Sequence, residues 1–313
     1  MRAEMGRNIA ESINARLKNH AKVTGDDVMA VQMRYVLERL LYRLTGTRWG
    51  DNIALKGALI FVAHDGDTHR PTSDIDINGY DPADGIETLE AMVRAAIALD
   101  VEDGVVFDGG SMMVRKERDG QVIRGGKVEL WAMLHTSKVR VRVDAGFGNA
   151  VTPEARLAEY PSLLPDMPRP MIRIYPFETM IAEKVHAAWR HGAETSRIRD
   201  YYDLYTLSDT KRFEGRILAD AITATFGCHD EPPPEPGLDA YSDRFVEMHA
   251  RAWDTYRNGK GLKFSTPDLA ATVGRIREFI EPAIVLANGG SDPGTWEAGQ
   301  GWSDMPSPRF CSP

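Results

Sequence analysis

Two aspartates, Asp74 and Asp76, alternate with isoleucines in the segment Ser73–Ile77. In a β-strand every second side chain lies on the same face, so both carboxylates would point the same way. Adjacent carboxylates repel each other unless a positive charge lies between them. A divalent metal that holds a phosphate is a common reason for such a pair. The spacing therefore predicts metal-dependent phosphate chemistry.

A third carboxylate, Asp144, belongs to a second predicted strand, residues 139–146. The valines of this strand share one face, and Asp144 shares the other with Arg140 and Arg142. If this strand lies beside the one that carries Asp74 and Asp76, three acidic ligands from two strands would suit Mg²⁺. The alternative is that Asp144 only pairs with one of the two arginines, or caps a turn.

The turn at Lys56 and Gly57 precedes a predicted helix. Backbone N–H groups, the helix dipole and a mobile ammonium could there bind a phosphate. Because Lys-Gly is common in ordinary turns, this pattern indicates a phosphate site only together with the acidic residues.

Lys184 lies in the middle of the apolar stripe of a predicted helix that starts at Phe177. A free ammonium prefers water, so this lysine must either extend outward or reach a buried anion. The alternative to a functional role is an ordinary pairing with an interior aspartate or glutamate.

Asp200 lies on the apolar side of the next predicted helix, on the face of Leu204 and Leu207. Such a carboxylate could be a general base, or orient a lysine, or be a structural partner of Arg197. Asp203 is predicted on a different face, beside Arg199, and could form a simple helix ion pair with it.

The composition is that of an ordinary globular protein, with 313 residues, 42% hydrophobic and 27% charged. A formal charge of −8 argues against coating nucleic acid by bulk electrostatics, although a local basic groove is compatible with it. Two distant cysteines, no apolar signal core and no membrane-length apolar run favour a soluble, cytoplasmic protein without a membrane partner. The histidines show no zinc-site spacing.

The hydrophobic period divides the chain into two parts. Helical and strand patterns mix up to about residue 165, with alternating strands at 105–117, 127–135 and 138–147. From Phe177 the pattern is helical. The sequence thus predicts an α+β protein with an α/β domain over residues 1–165, a helical domain over 166–287 and a flexible tail over 288–313.

Four motifs in order resemble those of the AbiEii/AbiGii-type nucleotidyltransferase toxins. The first comprises Leu55–Leu59 and Arg70–Asp76, and the second is Val143–Gly148. The third is Tyr175–Lys184 and the fourth Arg197–Leu204. The resemblance covers residues 25–285. One departure is Ala58, where the wider polymerase-β superfamily often has a serine, so a hydroxyl contact to phosphate is missing.

The resemblance implies a polymerase-β-like nucleotidyltransferase domain with a mixed β-sheet, followed by a helical domain. It further implies a nucleoside triphosphate (GTP in some relatives), Mg²⁺, and a cognate antitoxin in an abortive-infection, phage-defence system. Some relatives add nucleotides to the 3′ end of tRNA, so an RNA end is the expected acceptor. The expected metal ligands are Asp74, Asp76 and Asp144, the expected nucleotide-binding residues are Lys56, Gly57, Ser73 and Lys184, and Lys184 and Asp200 complete the expected catalytic set.

Two other functions fit the same motifs. The chain could be a catalytically silent nucleotidyltransferase fold that only binds an antitoxin, although a silent site has no reason to keep mutually repelling acids. It could also modify proteins or itself, for which Ser73 is the nearest hydroxyl.

Overall fold

The chain folds into two compact units, each with its own buried core. The computed structural model describes residues 2–81, 83, 85–119 and 122–303. The first unit is Met1–Asn149 with Ala155–Tyr175, and the second is Ala150–Glu154 with Pro176–Pro313. The sequence placed the limit after residue 165, whereas the structure divides at Tyr175 and Pro176.

A seven-stranded sheet forms the centre of the first unit. Its strands are β1 (Ile53–Lys56), β2 (Asp74–Gly79), β3 (Val105–Asp119), β4 (Val122–Leu134), β5 (Ser137–Phe147), β6 (Arg156–Glu159) and β7 (Met171–Ile174). They lie in the order β3-β4-β5-β2-β1-β7-β6. Pairs β2–β5 and β1–β7 are parallel and the others antiparallel, so the sheet is mixed.

Four helices belong to the described part of the first unit. They are α1 (Arg2–Thr24), α2 (Val28–Thr45), α3 (Leu59–Asp65) and α4 (Ile86–Ala98). Asp27 caps α2 by accepting a hydrogen bond from the Ala30 N–H at 3.0 Å. Helices α2 and α4 pack against the sheet on the face of Ile75 and Val143, both fully buried. The opposite face keeps the polar residues of the same strands.

The second unit is built mainly of helices. They are α5 (Phe177–His191), α6 (Ile198–Thr210), α7 (Gly215–Gly227), α8 (Asp243–Arg257) and α9 (Leu269–Ala287). Helix α7 packs on α5 and α9, and α9 also contacts α6 and α8. A mixed-sheet α/β part followed by a helical part confirms the predicted fold class.

Residues after 288 differ from the flexible tail that the sequence predicts. The strands β8 (Phe213–Glu214), β9 (Thr295–Glu297) and β10 (Gly301–Ser303) form a small antiparallel sheet. Trp296 is buried between strands and helix, and its Nε1–H donates to the Ser208 carbonyl at 2.7 Å. One buried tryptophan in a short segment gives no periodic signal, which is why the sequence pattern missed it. Residues 304–313 lie outside the described part of the chain.

None of the helices that the structure describes is both long enough and apolar enough to cross a bilayer.

Candidate active site

A row of four charged residues crosses four adjacent strands of the large sheet. Lys56 of β1 lies opposite Asp76 of β2, Asp76 lies opposite Asp144 of β5, and Asp144 lies opposite Lys127 of β4. Directly opposed residues carry their side chains on the same face. The sheet therefore presents the order Lys–Asp–Asp–Lys, with two carboxylates between two ammonium groups.

The parallel pairing of β2 with β5 brings the predicted acids together. The sequence predicted that Asp144 meets the acidic pair if the two strands are neighbours, and the register confirms that they are. Asp144 forms its ion pair with Lys127, at 3.0 Å between Nζ and Oδ2. Of the two arginines in the alternative pairing, Arg140 pairs with Glu129 and Arg142 donates to Ser73 Oγ.

Within this row, Asp76 has a strongly shifted pKa. Burial, together with the neighbouring carboxylates Asp74 and Asp144, raises its pKa from 3.8 to about 7, although Lys56 and Arg70 act in the opposite direction. The raised pKa means that a negative charge on Asp76, beside those of Asp74 and Asp144, is unfavourable in the absence of a cation. A bound cation would offset that cost.

Asp74 is in contrast held in its charged form. Burial raises its pKa, but the hydrogen bond from the Thr72 hydroxyl at 2.6 Å, the Arg142 guanidinium and the Ser73 N–H at 3.2 Å outweigh burial and lower it below 3.8. The loop residues Thr72 and Ser73 thus fix the Asp74 carboxylate. Ser73 is itself tied to Arg142.

Gly57 leaves room for the Asp76 carboxylate. Its φ is +67°, in the left-handed region that favours glycine. A Cβ built here would lie 1.9 Å from Asp76 Oδ2, so any side chain would displace the acid. The following helix α3 spans seven residues and offers little dipole field. Lys56, whose Nζ lies 5.9 Å from the Tyr175 ring centroid, is the charged group at this turn.

The donor set fits a hard divalent cation in its chemistry. Mg²⁺ takes carboxylate oxygens and keeps several waters, and three aspartates meet that demand. The raised pKa of Asp76 means that a nearby positive charge would stabilise its ionised form. Within the described residues, however, no group of three or more His, Cys, Asp or Glu side chains is already arranged as a metal cage. Lys127 neutralises Asp144 instead.

A second charged cluster lies in the helical unit and contains Lys184 of α5. Its Nζ donates to Asp200 and, at 2.9 Å, to Asp203 Oδ2, both on α6. The Lys184 side chain is 12% exposed, Asp200 19% and Asp203 0%. The ammonium that the sequence placed on an apolar stripe therefore reaches two carboxylates.

Asp203 has a different partner from the one that the sequence suggests. A simple helix ion pair with Arg199 was the expectation, whereas Asp203 is fully buried and contacts Lys184. Residues three apart on a helix share a face, so the spacing of Asp200 and Asp203 was the available signal. Asp200 also lies 3.9 Å from Arg197, its other predicted partner.

The cluster opens onto a surface depression of the second unit. Its lining includes Lys184, Ala188, Arg197, Asp200, Tyr201 and Tyr241. Burial, with the nearby charge of Asp200 a smaller cause, raises the pKa of the Tyr241 hydroxyl, so this wall stays neutral. The charged residues of this lining are Lys184, Arg197 and Asp200.

Sequence comparison identifies a family. Residues 39–274 match the family model described as "Nucleotidyl transferase AbiEii toxin, Type IV TA system". No curated protein gives a significant match. Two solved structures from Helicobacter pylori are similar at 14% identity. One, a candidate nucleotidyltransferase, has a TM-score of 0.47 and covers 83% of this chain and 95% of its own. The other, JHP933, has a TM-score of 0.48 and covers 83% and 92%.

Proposed function

This chain belongs to the AbiEii family of nucleotidyl transferase toxins of type IV toxin–antitoxin systems, and on that basis we propose that it transfers a nucleotide from a nucleoside triphosphate to an acceptor hydroxyl. The observation that carries the proposal is the Lys–Asp–Asp–Lys row across β1, β2, β5 and β4. Such a row has an anionic centre for a metal and cationic ends for phosphates.

Asp74, Asp76 and Asp144 are the residues that would hold Mg²⁺. The ion, when bound, supplies positive charge that stabilises the transferring phosphoryl group. Asp74 is kept ionised by Thr72, Ser73 and Arg142, so it is ready to bind a cation. Lys56 binds triphosphate oxygens from its end of the row.

The reaction is a displacement at the α-phosphorus. The acceptor oxygen forms a bond to that phosphorus, the bond to the β-phosphate oxygen breaks, and pyrophosphate leaves. The acceptor proton goes to a carboxylate or to water. In the second unit, the contact with Lys184 favours an orienting role for Asp200 over a role as base, because one of its carboxylate oxygens already accepts a hydrogen bond from the lysine.

We expect the acceptor to be an RNA 3′ end, the nucleotide to be any of the four with GTP as the first candidate, and a cognate antitoxin to neutralise the activity. Incubation with each α-³²P-labelled triphosphate, total RNA and Mg²⁺ tests this. Wild type should label RNA, and Asp76→Asn should lower the rate by about 10²–10³-fold, the scale for loss of one electrostatic stabiliser.

The matched control is Glu87→Gln, which removes an exposed carboxylate paired with Lys116. It should transfer label at the wild-type rate. Absence of label from wild type, or undiminished transfer by Asp76→Asn, would refute the proposal. Label on the protein rather than on RNA would favour self-modification and direct attention to Ser73.

A further inference from the structure

We propose that Lys127 holds Asp144 when no metal is bound, and that a divalent metal must displace this lysine to bind. Lys127 then acts as a positioning residue that sets the metal affinity and turns toward the triphosphate once released. The inference rests on the proposed function, because it assumes that Asp144 is a metal ligand.

Lys127 reaches Asp144 by strand pairing. The two residues are directly opposed across the antiparallel β4–β5 pair, and their charged atoms lie 3.0 Å apart. Three other cations occupy the same face of β5 and have different contacts. Arg140 pairs with Glu129, Arg142 donates to Ser73, and Lys138 lies 4.5 Å from the Trp131 ring centroid.

The backbone beside Lys127 is closely packed. Gly125 lies opposite Gly146, and a Cβ on Gly125 would lie 2.3 Å from the Ala145 carbonyl oxygen. The Lys127 side chain is nevertheless 39% exposed, against 21% for Asp144. A long, flexible lysine on a fixed strand can therefore move its ammonium into solvent without any backbone change.

Charge determines the direction of the effect. An ammonium beside Asp144 competes for its oxygens and also repels an incoming divalent cation. The same ammonium attracts a triphosphate, whose charge is strongly negative. Removal of Lys127 should thus tighten binding of the metal alone and weaken binding of the metal–triphosphate complex. A structural role alone would weaken both.

The test measures Mn²⁺ binding without nucleotide by electron paramagnetic resonance, on the full chain. Lys127→Met should bind Mn²⁺ about 3–5-fold more tightly than wild type, the scale of a partly exposed ion pair. Lys127→Arg keeps the charge and should stay within about 2-fold of wild type. Lys138→Met removes a charge from the same face, six residues from Asp144, and should also match wild type. Unchanged or weaker binding by Lys127→Met would overturn the inference.

A second measurement needs no variant. Lysine acetylation with an amine-selective reagent, read by mass spectrometry, should increase at Lys127 when Mn²⁺ is added and remain constant at Lys138. Equal acetylation of Lys127 with and without Mn²⁺ would overturn the inference. This measurement does not depend on whether the Lys127→Met variant folds.

The two proposals fail in different ways. If wild type and Lys127→Met bind Mn²⁺ equally, and Asp144→Asn abolishes binding, Lys127 has no such role but the metal site remains. If neither wild type nor Lys127→Met binds Mn²⁺, the metal site itself is refuted, and with it the proposed function.

Discussion

Asp76 and Asp144 are direct neighbours across the parallel pairing of β2 with β5, although 68 positions separate them in the chain. No positively charged side chain lies between them in the row. Lys56 and Lys127 flank the pair on its outer sides. The two carboxylates at the centre of the row therefore repel each other. The free energy of unfolding of the protein should consequently depend on whether a cation is bound there.

Asp76→Asn should stabilise the metal-free protein above neutral pH. The pKa of Asp76 is about 7 in the folded chain and 3.8 as the ordinary value. Its contribution to stability is therefore complete below about pH 4 and is lost as the pH rises to about 7. At pH 8 the variant should gain roughly 1–3 kcal/mol in free energy of unfolding. Urea unfolding at pH 4 and pH 8 with a chelator measures the difference.

The same variant should lose its response to metal. Mn²⁺ should raise the stability of wild type at pH 8 and leave Asp76→Asn unchanged, because binding to the folded state alone is stabilising. Equal stability of the two proteins at pH 8 without metal would contradict the repulsion described here.

Gly57→Ala should cost more than an alanine at an otherwise similar glycine. Gly57 and Gly66 both have positive φ, of +67° and +83°, but only a Cβ at Gly57 meets Asp76, while Gly66 has nothing within 4 Å. Gly66→Ala should cost about 1 kcal/mol of backbone strain, and Gly57→Ala roughly 2–4 kcal/mol together with most of the activity. Thermal unfolding and nucleotide transfer measure both.

A double-mutant cycle identifies the cause. In an Asp76→Gly background both the carboxylate and the Asp76 Cβ, which would lie 2.8 Å from the added Cβ, are gone, so Gly57→Ala should cost no more than Gly66→Ala. A full penalty in that background would show that the strain lies elsewhere in the turn.

Asp203→Asn should destabilise the second unit more than Asp200→Asn. Asp203 is completely buried against Lys184, whereas the Asp200 side chain is 19% exposed. Removal of one partner from a buried pair costs about 3–5 kcal/mol, and the more exposed pair should lose roughly 1 kcal/mol or less. Denaturant unfolding gives both values. Equal costs would mean that the two carboxylates share Lys184 evenly.

Thr72→Val should raise the pH below which Mn²⁺ binding is lost. The Thr72 hydroxyl helps to hold the pKa of Asp74 below 3.8, so its removal lets Asp74 become protonated at a higher pH. Stability from Asp74 is present above its ordinary pKa and is lost as the pH falls. Mn²⁺ titrations between pH 3 and pH 6 measure the change. Thr136→Val, at an exposed turn, is the control and should leave the profile in place.

The sequence predicted the acids because strand alternation is a local signal. The period of two placed Asp74 with Asp76 and identified the strand of Asp144. Lys127 could not be found this way, since its position opposite Asp144 depends on the register of a hairpin. Asp203 was missed because its partner comes from another helix. Strand β1 has only four residues, too few for a periodic pattern.

The charged row also has a consequence for synthesis of the chain. Its four residues come from strands that span residues 53–147. Asp76 of β2 can therefore lie beside Asp144 only after β5 has been synthesised and has paired with β2. Pairing over such separations is slow, and a nascent chain gains it only after the whole segment has left the ribosome. Fragments that end before β5 lack Asp144 and therefore cannot assemble the row.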